Sequence, residues 1–248
     1  MIKTRIRFAK IGSVKFIGHL DCMRFFQKAI RRAKLDVAYS QGYSPHQLMS
    51  FASPLGVGIT STGEYMDVTF HTLPDMPLKE LVTYFNQYLT DEIYVLDIEI
   101  MPDHFKNSMS LLCAADYMIE EKQPGIYPDD FKERFTEFID QPEILVTKKT
   151  KKSEKLIDIK PYILKWGFSL AEFAKDTKQT YAAYQSPYNG SAIFLQLTSG
   201  SEVNIKPELV INAFFDYCQK EIVPYCYEVH RLQMYFNPLP EKKEQHES

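Results

Sequence analysis

The stretch IKTRIRFA at residues 2–9 sets the expected fold. Ile2, Ile6 and Phe8 alternate with basic residues, which is the period of two of a strand with one buried face. An amphipathic helix is predicted soon after it, at residues 20–34, where apolar residues recur every three or four positions. This strand and this helix begin a longer pattern of alternating elements.

The pattern continues over the first hundred residues. Further strands are predicted at 36–39, 64–71 and 92–100, and a second helix at 78–89. The resulting order, β-α-β-β-α-β, is that of a ferredoxin-like unit. The second half repeats the order loosely, and its predicted elements are strands at 112–120, 143–148, 154–159, 162–168, 191–198 and 227–236 and helices at 128–140 and 207–220.

We therefore predict an α+β protein built from two tandem ferredoxin-like (βαββαβ) units. The first unit is expected at residues 1–105, and the second, with an extra hairpin, at 110–238. Residues 240–248 are rich in charge and poor in apolar residues, so we expect a disordered tail.

Charge is distributed unevenly along the 248 residues. The whole chain has a formal net charge of −3, which argues against a polyanion partner. The first 50 residues, however, hold ten basic and two acidic residues, a net charge of +8, so the remaining 198 carry −11. A basic region attracts polyanions whatever the average charge of the chain.

The composition also limits the compartment. The four cysteines form no CxxC pair, and the amino terminus lacks the apolar stretch of a secretion signal. No run of about 18 apolar residues occurs, so no membrane span is expected. These features predict a cytoplasmic protein without membrane contact.

The helix at 20–34 holds the strongest binding signal. Arg24, Lys28 and Arg31 are spaced four and three residues apart and so share a face, which Arg32 and Lys34 border. No Glu stands four residues from them to neutralise the face. Such a stripe is suited to RNA phosphates, although an ordinary solvated helix face is the alternative.

The stretch YSQGYSPH at residues 39–46 is the second candidate. Gly42 allows a tight turn, and the segment carries hydroxyls and aromatic rings at Tyr39, Tyr43 and Ser44. Such a loop can hold a phosphate or stack on a base. A long structural connection is the alternative.

His19 and His46 are the only candidate acid–base pair. Two imidazoles beside a basic groove could cleave RNA without a metal ion. The alternative is that His19, at a helix start, serves in capping or packing. Nucleotide-phosphate loops, the GxSxG motif and clusters of metal ligands are absent from the sequence, so we expect no cofactor and no metal.

Several motifs between residues 16 and 70 resemble one known family. They are FIGHLD at 16–21, then Arg24, RRA at 31–33, YSQGYSPH at 39–46, SFA at 50–52 and GEYMD at 63–67. Together they resemble the radical-SAM-associated family of uncharacterised bacterial proteins, with a weaker match in DIKP at 158–161. The resemblance implies an accessory role beside a radical SAM protein and supplies no catalytic residues. The chain lacks the CxxxCxxC cluster ligands of radical SAM enzymes.

Three functional hypotheses follow. The first is an RNA-binding accessory protein that acts beside a radical SAM enzyme in RNA modification. The second is a metal-independent endoribonuclease that uses His19 and His46. The third is a protein-interaction module that docks on the radical SAM partner.

Overall fold

A large, mostly antiparallel sheet is the framework of the protein. The computed structural model describes residues 1–149, 154–175 and 180–237. Its strands are β1 (Ile2–Lys10), β2 (Met49–Phe51), β3 (Thr60–Phe70), β4 (Ile93–Ile100), β5 (Leu112–Glu121), β6 (Leu145–Lys149), β7 (Glu154–Asp158), β8 (Ile163–Gly167), β9 (Ala192–Thr198) and β10 (Tyr227–Phe236). Its six α-helices, within the described ranges, are α1 (His19–Arg32), α2 (Leu78–Asn86), α3 (Ser108–Leu111), α4 (Phe131–Asp140), α5 (Leu170–Ala174) and α6 (Pro207–Tyr217).

Eight of the strands form one continuous sheet. Its order is β4-β1-β3-β10-β5-β9-β8, with β2 added beside β3, and only the contact of β10 with β3 is parallel. The first half of the chain therefore has the strand order β4-β1-β3-β2, and the second half has β10-β5-β9-β8. Strands β6 and β7 form a separate two-stranded sheet. The protein is thus a mixed α/β protein.

Helix α1 forms because its apolar residues meet the sheet. Phe26 is fully buried and packs edge-on against Phe8 of β1, with the ring centroids 4.8 Å apart. The helix ends in a left-handed residue, Lys34, whose φ is +52°. The amide of Leu35 then donates to the carbonyl of Ile30 at 3.2 Å, which is the closure of a Schellman motif.

Two apolar cores lie along the sheet. The first contains buried residues of α1, α2, β1, β3 and β4, with Phe26 and Phe85 among the largest. The second is centred on aromatic rings of α4 and α6, where Phe135 and Phe214 lie 5.0 Å apart. The first core is formed by the first half of the chain, and the second is formed by the second half together with Ala52.

The predicted elements agree with the structure except in a few places. Residues 36–39 do not form a regular strand, since Val37 and Tyr39 make only isolated bridges with Phe70 and Gln47. The pairing beside β3 is made by β2 instead. The tail predicted at 240–248 lies outside the described residues. No helix within the described part of the chain is both long and apolar enough to cross a membrane.

Candidate functional site

The basic residues of α1 fall into two groups. Arg24 forms an ion pair with Asp21 at 3.3 Å, and Arg32 donates to the carbonyl of Tyr88 at 2.7 Å. Lys28, Arg31 and Lys34 are exposed, and none of their side chains forms a hydrogen bond or ion pair with another described residue. Lys28 and Arg31 are three residues apart and so are neighbours on the helix surface, and Lys34 follows just beyond the C-terminus of the helix.

Most other basic side chains of the first 50 residues form hydrogen bonds or ion pairs within the protein. Lys15 pairs with Glu228 at 2.8 Å, although 213 residues separate them in sequence. Lys10 is buried and donates to the carbonyl of Ile17 at 2.9 Å, and burial lowers the pKa of its ammonium group. Arg5 lies beside Asp67 at 3.9 Å. The charge of +8 therefore overstates the positive charge that faces solvent without a partner.

Residues 39–46 form a closed loop. The amide of Ser40 donates to the carbonyl of His46 at 2.8 Å, and the amide of His46 donates to the Ser40 hydroxyl at 3.1 Å. Gly42 has φ +120°, a conformation that favours glycine. Tyr43 and Ser44 are exposed next to it, and the ring of Tyr43 is fully accessible.

The loop lies directly beside α1. Gln47, which is buried, donates from Nε2 to the carbonyl of Gln27 at 3.2 Å and lies 3.5 Å from the Tyr39 hydroxyl. Gln27 immediately precedes Lys28 in the helix. The end of the loop is therefore in contact with α1, the helix that carries Lys28 and Arg31.

A cleft of about 430 Å³ opens beside the loop. His46 lines it together with Lys3 and Asn107, and Phe105 contributes an apolar wall. The Ser40 hydroxyl lies 2.8 Å from Nδ1 of His46, so it fixes the ring at the edge of the cleft. The volume lies within the range of small-molecule sites in proteins.

Most of the chain matches one known protein family. Residues 3–207 match the model of DUF2344, described as an uncharacterized protein conserved in bacteria. The chain belongs to this family. The match does not link it to radical SAM proteins, and a comparison with curated proteins gives no match.

The two histidines of the predicted acid–base pair have different surroundings in this DUF2344 protein. His19 begins α1, and its ring packs edge-on against Phe51 with the centroids 5.1 Å apart. It lines a cavity of about 10 Å³ together with Cys22, which is a different cavity from the one that His46 lines. The structure thus gives His19 the packing contacts of a core-edge residue, and the acid–base pair stays a prediction.

Sequence reasoning missed a buried polar seam where β3 meets β10. His230 is completely buried, with Thr60 Oγ1 2.9 Å from Nδ1 and Thr62 Oγ1 3.0 Å from Nε2. The ring of Tyr184 stacks on the imidazole at 3.6 Å. Burial lowers the pKa of His230 to about 3, so the ring is neutral at physiological pH.

A buried ion pair completes the seam of the DUF2344 protein. Arg231 Nη1 lies 3.1 Å from Glu64 Oε1, and both residues are at least 95% buried. Burial alone would lower the pKa of Arg231, but the Glu64 carboxylate and the nearby Tyr117 outweigh it and raise that pKa. These groups are distant in sequence and follow no motif, so only the tertiary structure reveals them.

No group of three or more His, Cys, Asp or Glu residues in the described ranges is arranged to hold a metal ion. The four cysteines are free thiols. Burial raises the pKa of Cys22 to about 12, which makes its thiol unreactive.

Proposed function

We propose that this protein binds single-stranded RNA at the surface formed by α1 and the 39–46 loop. The observation that carries the proposal is the position of Lys28, Arg31 and Lys34, exposed and unpaired with other described residues, beside a loop that presents Tyr43 to solvent. Unpaired cations can neutralise phosphates, and an exposed aromatic ring can stack on a base. The combination is typical of single-strand recognition, in which unstacked bases are accessible.

The cleft at His46 adds a place for one nucleotide. His46 and Lys3 supply donors at its edge, and Asn107 supplies an amide that can pair with a base edge. His46 of the loop lines the cleft, and Gln47, the next residue, contacts α1, which carries Lys28 and Arg31. An RNA strand that crosses the loop would therefore meet phosphate contacts on one side and a base-sized recess on the other.

The test compares two exposed tyrosines. Tyr43→Ala should weaken binding to a labelled single-stranded RNA by about 5- to 150-fold, because stacking contributes roughly 1–3 kcal/mol per base. Tyr225 is almost fully exposed elsewhere, so Tyr225→Ala is the matched control and should leave affinity unchanged. Equal effects of the two substitutions, or no RNA binding by the wild type, would contradict the proposal.

We also propose that the chain consists of two ferredoxin-like units joined in one sheet. The two orders β4-β1-β3-β2 and β10-β5-β9-β8 support it, because corresponding strands occupy corresponding places. In this interpretation β6 and β7 are the extra hairpin of the second unit. Limited proteolysis should cut between the units, near residues 102–110, if they are separable domains.

For the partner and compartment, we propose a radical SAM protein and the cytoplasm. The partner rests only on the resemblance of residues 16–70, and the compartment on the free cysteines. Co-purification of the two proteins after nuclease treatment tests the partner. Loss of the association after nuclease would mean that RNA bridges them.

A further inference from the structure

A second surface lies in the acidic half of the chain, between β6 and α6. A groove of about 530 Å³ runs between residues 143–147 on one side and α6 on the other. The helix wall is made by Leu209, Asn212, Ala213 and Asp216, whose spacing of three, four and seven residues places them on one face. This groove shares no residue with the α1 surface.

The strand wall of the groove is the unpaired edge of β6. Five consecutive residues, 143–147, line the groove, and the last three of them belong to β6. The side chains of a strand, by contrast, point alternately to opposite faces. Consecutive residues can border one groove only when the edge of the strand faces it. Within the described residues, β6 pairs with β7 alone, so its second edge has no partner strand.

The hydrogen-bond pattern shows which groups this edge offers. The amide of Ile159 donates to the carbonyl of Ile144 at 2.9 Å, so Ile144 and Ile159 take the position of a hydrogen-bonded pair of the antiparallel ladder, although the Ile144 amide itself donates to Oδ1 of Asp158 at 2.8 Å. Because such pairs alternate with non-hydrogen-bonded ones, the N–H and C=O groups of Leu145 and Thr147 point away from β7. Both residues are exposed. They present two donors and two acceptors at strand spacing.

The charge of the groove selects its ligand. Glu143 and Asp216 line it, and no Lys, Arg or His is among its described lining residues. Glu137 is close by, since its carboxylate accepts a hydrogen bond from the Tyr217 hydroxyl at 3.4 Å, and Lys160 is also close, since its ammonium group donates to the carbonyl of the lining residue Gln141. Two lining carboxylates without a described lining cation complement a positively charged segment. The two lysines of β6, Lys148 and Lys149, follow the lining residues in the strand.

We propose that an extended, lysine- or arginine-rich segment of a partner protein binds in this groove as a third strand beside β6. Its backbone would pair with Leu145 and Thr147, and its cations would lie beside Glu143 and Asp216. Strand addition of this kind takes affinity from main-chain hydrogen bonds and specificity from the side chains on either face.

The test uses a fluorescein-labelled peptide, Lys-Val-Lys-Thr-Lys-Val-Lys-Thr-Lys, with the full-length protein. We expect binding with a Kd on the order of 10–100 µM by fluorescence anisotropy. A peptide with Glu in place of every Lys should not bind. Peptide-induced shifts of amide signals should centre on Leu145 and Thr147 and leave α1 unchanged.

Two sets of substitutions test separately how backbone hydrogen bonds and charge contribute to peptide binding. Thr147→Pro removes one outward N–H without touching the ladder to β7, and it should weaken binding about tenfold, while Thr147→Ala should change it less than about twofold. Replacing Glu143 and Asp216 by Lys should also weaken binding about tenfold. This second variant keeps the test valid if the proline variant fails to fold.

Four results would overturn the proposal, and the first three concern the peptides. They are no binding of the basic peptide up to about 1 mM, equal binding of the acidic peptide, and amide shifts that centre on α1. A concentration-dependent dimer that Thr147→Pro abolishes would assign the edge to a second copy of the chain and would also overturn it.

Discussion

The seam between β3 and β10 and the outer side of α1 are both rich in polar groups, and they differ in what those groups contact. In the seam, His230 and Glu64 are buried and have partners within the protein. On α1, Lys28 and Arg31 face solvent without a described partner. The difference shows that charge indicates a binding surface only where the fold leaves it unpaired.

The largest effect is expected from breaking the seam. Glu64→Gln leaves the Arg231 guanidinium buried without its counter-charge, so the free energy of unfolding should fall by about 3–5 kcal/mol. Lys28→Gln, at an exposed site, should change it by less than about 0.5 kcal/mol. Urea denaturation measures both. Similar small changes for the two variants would mean that the seam does not stabilise the fold as described.

Combining Glu64→Gln with Arg231→Met sharpens this test. The double variant removes both charges and should recover part of the stability lost in the single variant, because the cost lies in the unpaired charge. A double variant that loses the sum of the two single effects would contradict this explanation.

The next largest effect is expected on the pH dependence of stability. His230 has a folded-state pKa of about 3, below its unfolded value of about 6.5. Between these values the unfolded chain binds more protons, so His230 makes stability fall as pH falls. The contribution is about 1.4 kcal/mol per pH unit. His230→Gln should therefore reduce the slope of the free energy of unfolding against pH, between pH 6 and pH 4, by about 1.4 kcal/mol per pH unit in urea titrations. An unchanged pH dependence would show that His230 is not buried as a neutral ring.

A smaller effect is expected at the end of α1. Lys34 has a left-handed backbone that costs a non-glycine residue about 1 kcal/mol, so Lys34→Gly should raise the free energy of unfolding by up to that amount. Lys28→Gly, inside the helix, should lower it by about 1 kcal/mol. Chemical denaturation checks the opposite signs. A loss of stability in both variants would argue against the Schellman ending of α1.

The sequence predicted elements with a local pattern well. The strand at residues 2–9 and the helix at 20–34 correspond to β1 and α1 within two residues, because the period of apolar side chains is a local property. The strand predicted at 36–39 was wrong because Val37 and Tyr39 make only single bridges. A four-residue segment is too short to show a period, whereas the predicted helix at 20–34 spans several turns.

Contacts between distant segments could not be predicted. A Cβ at Gly63 would lie 2.5 Å from the backbone of Gln233, so glycine permits the close approach of β3 and β10. No pattern in the residues around Gly63 predicts this approach. The candidate site shows the same limit. Lys15 counted toward the basic segment, yet it is paired with Glu228 from the opposite end of the chain.

The most direct test of the proposed RNA-binding surface is the salt dependence of binding. Each phosphate contact with a single strand contributes about 0.7 to the slope of log K against log salt concentration, so replacing Lys28, Arg31 and Lys34 by Ala should reduce the slope by about 2. Replacing Lys79, Lys132 and Lys206, three exposed lysines elsewhere, removes the same charge and should leave the slope unchanged. Equal slopes for the two triple variants would contradict the assignment of the interface to α1.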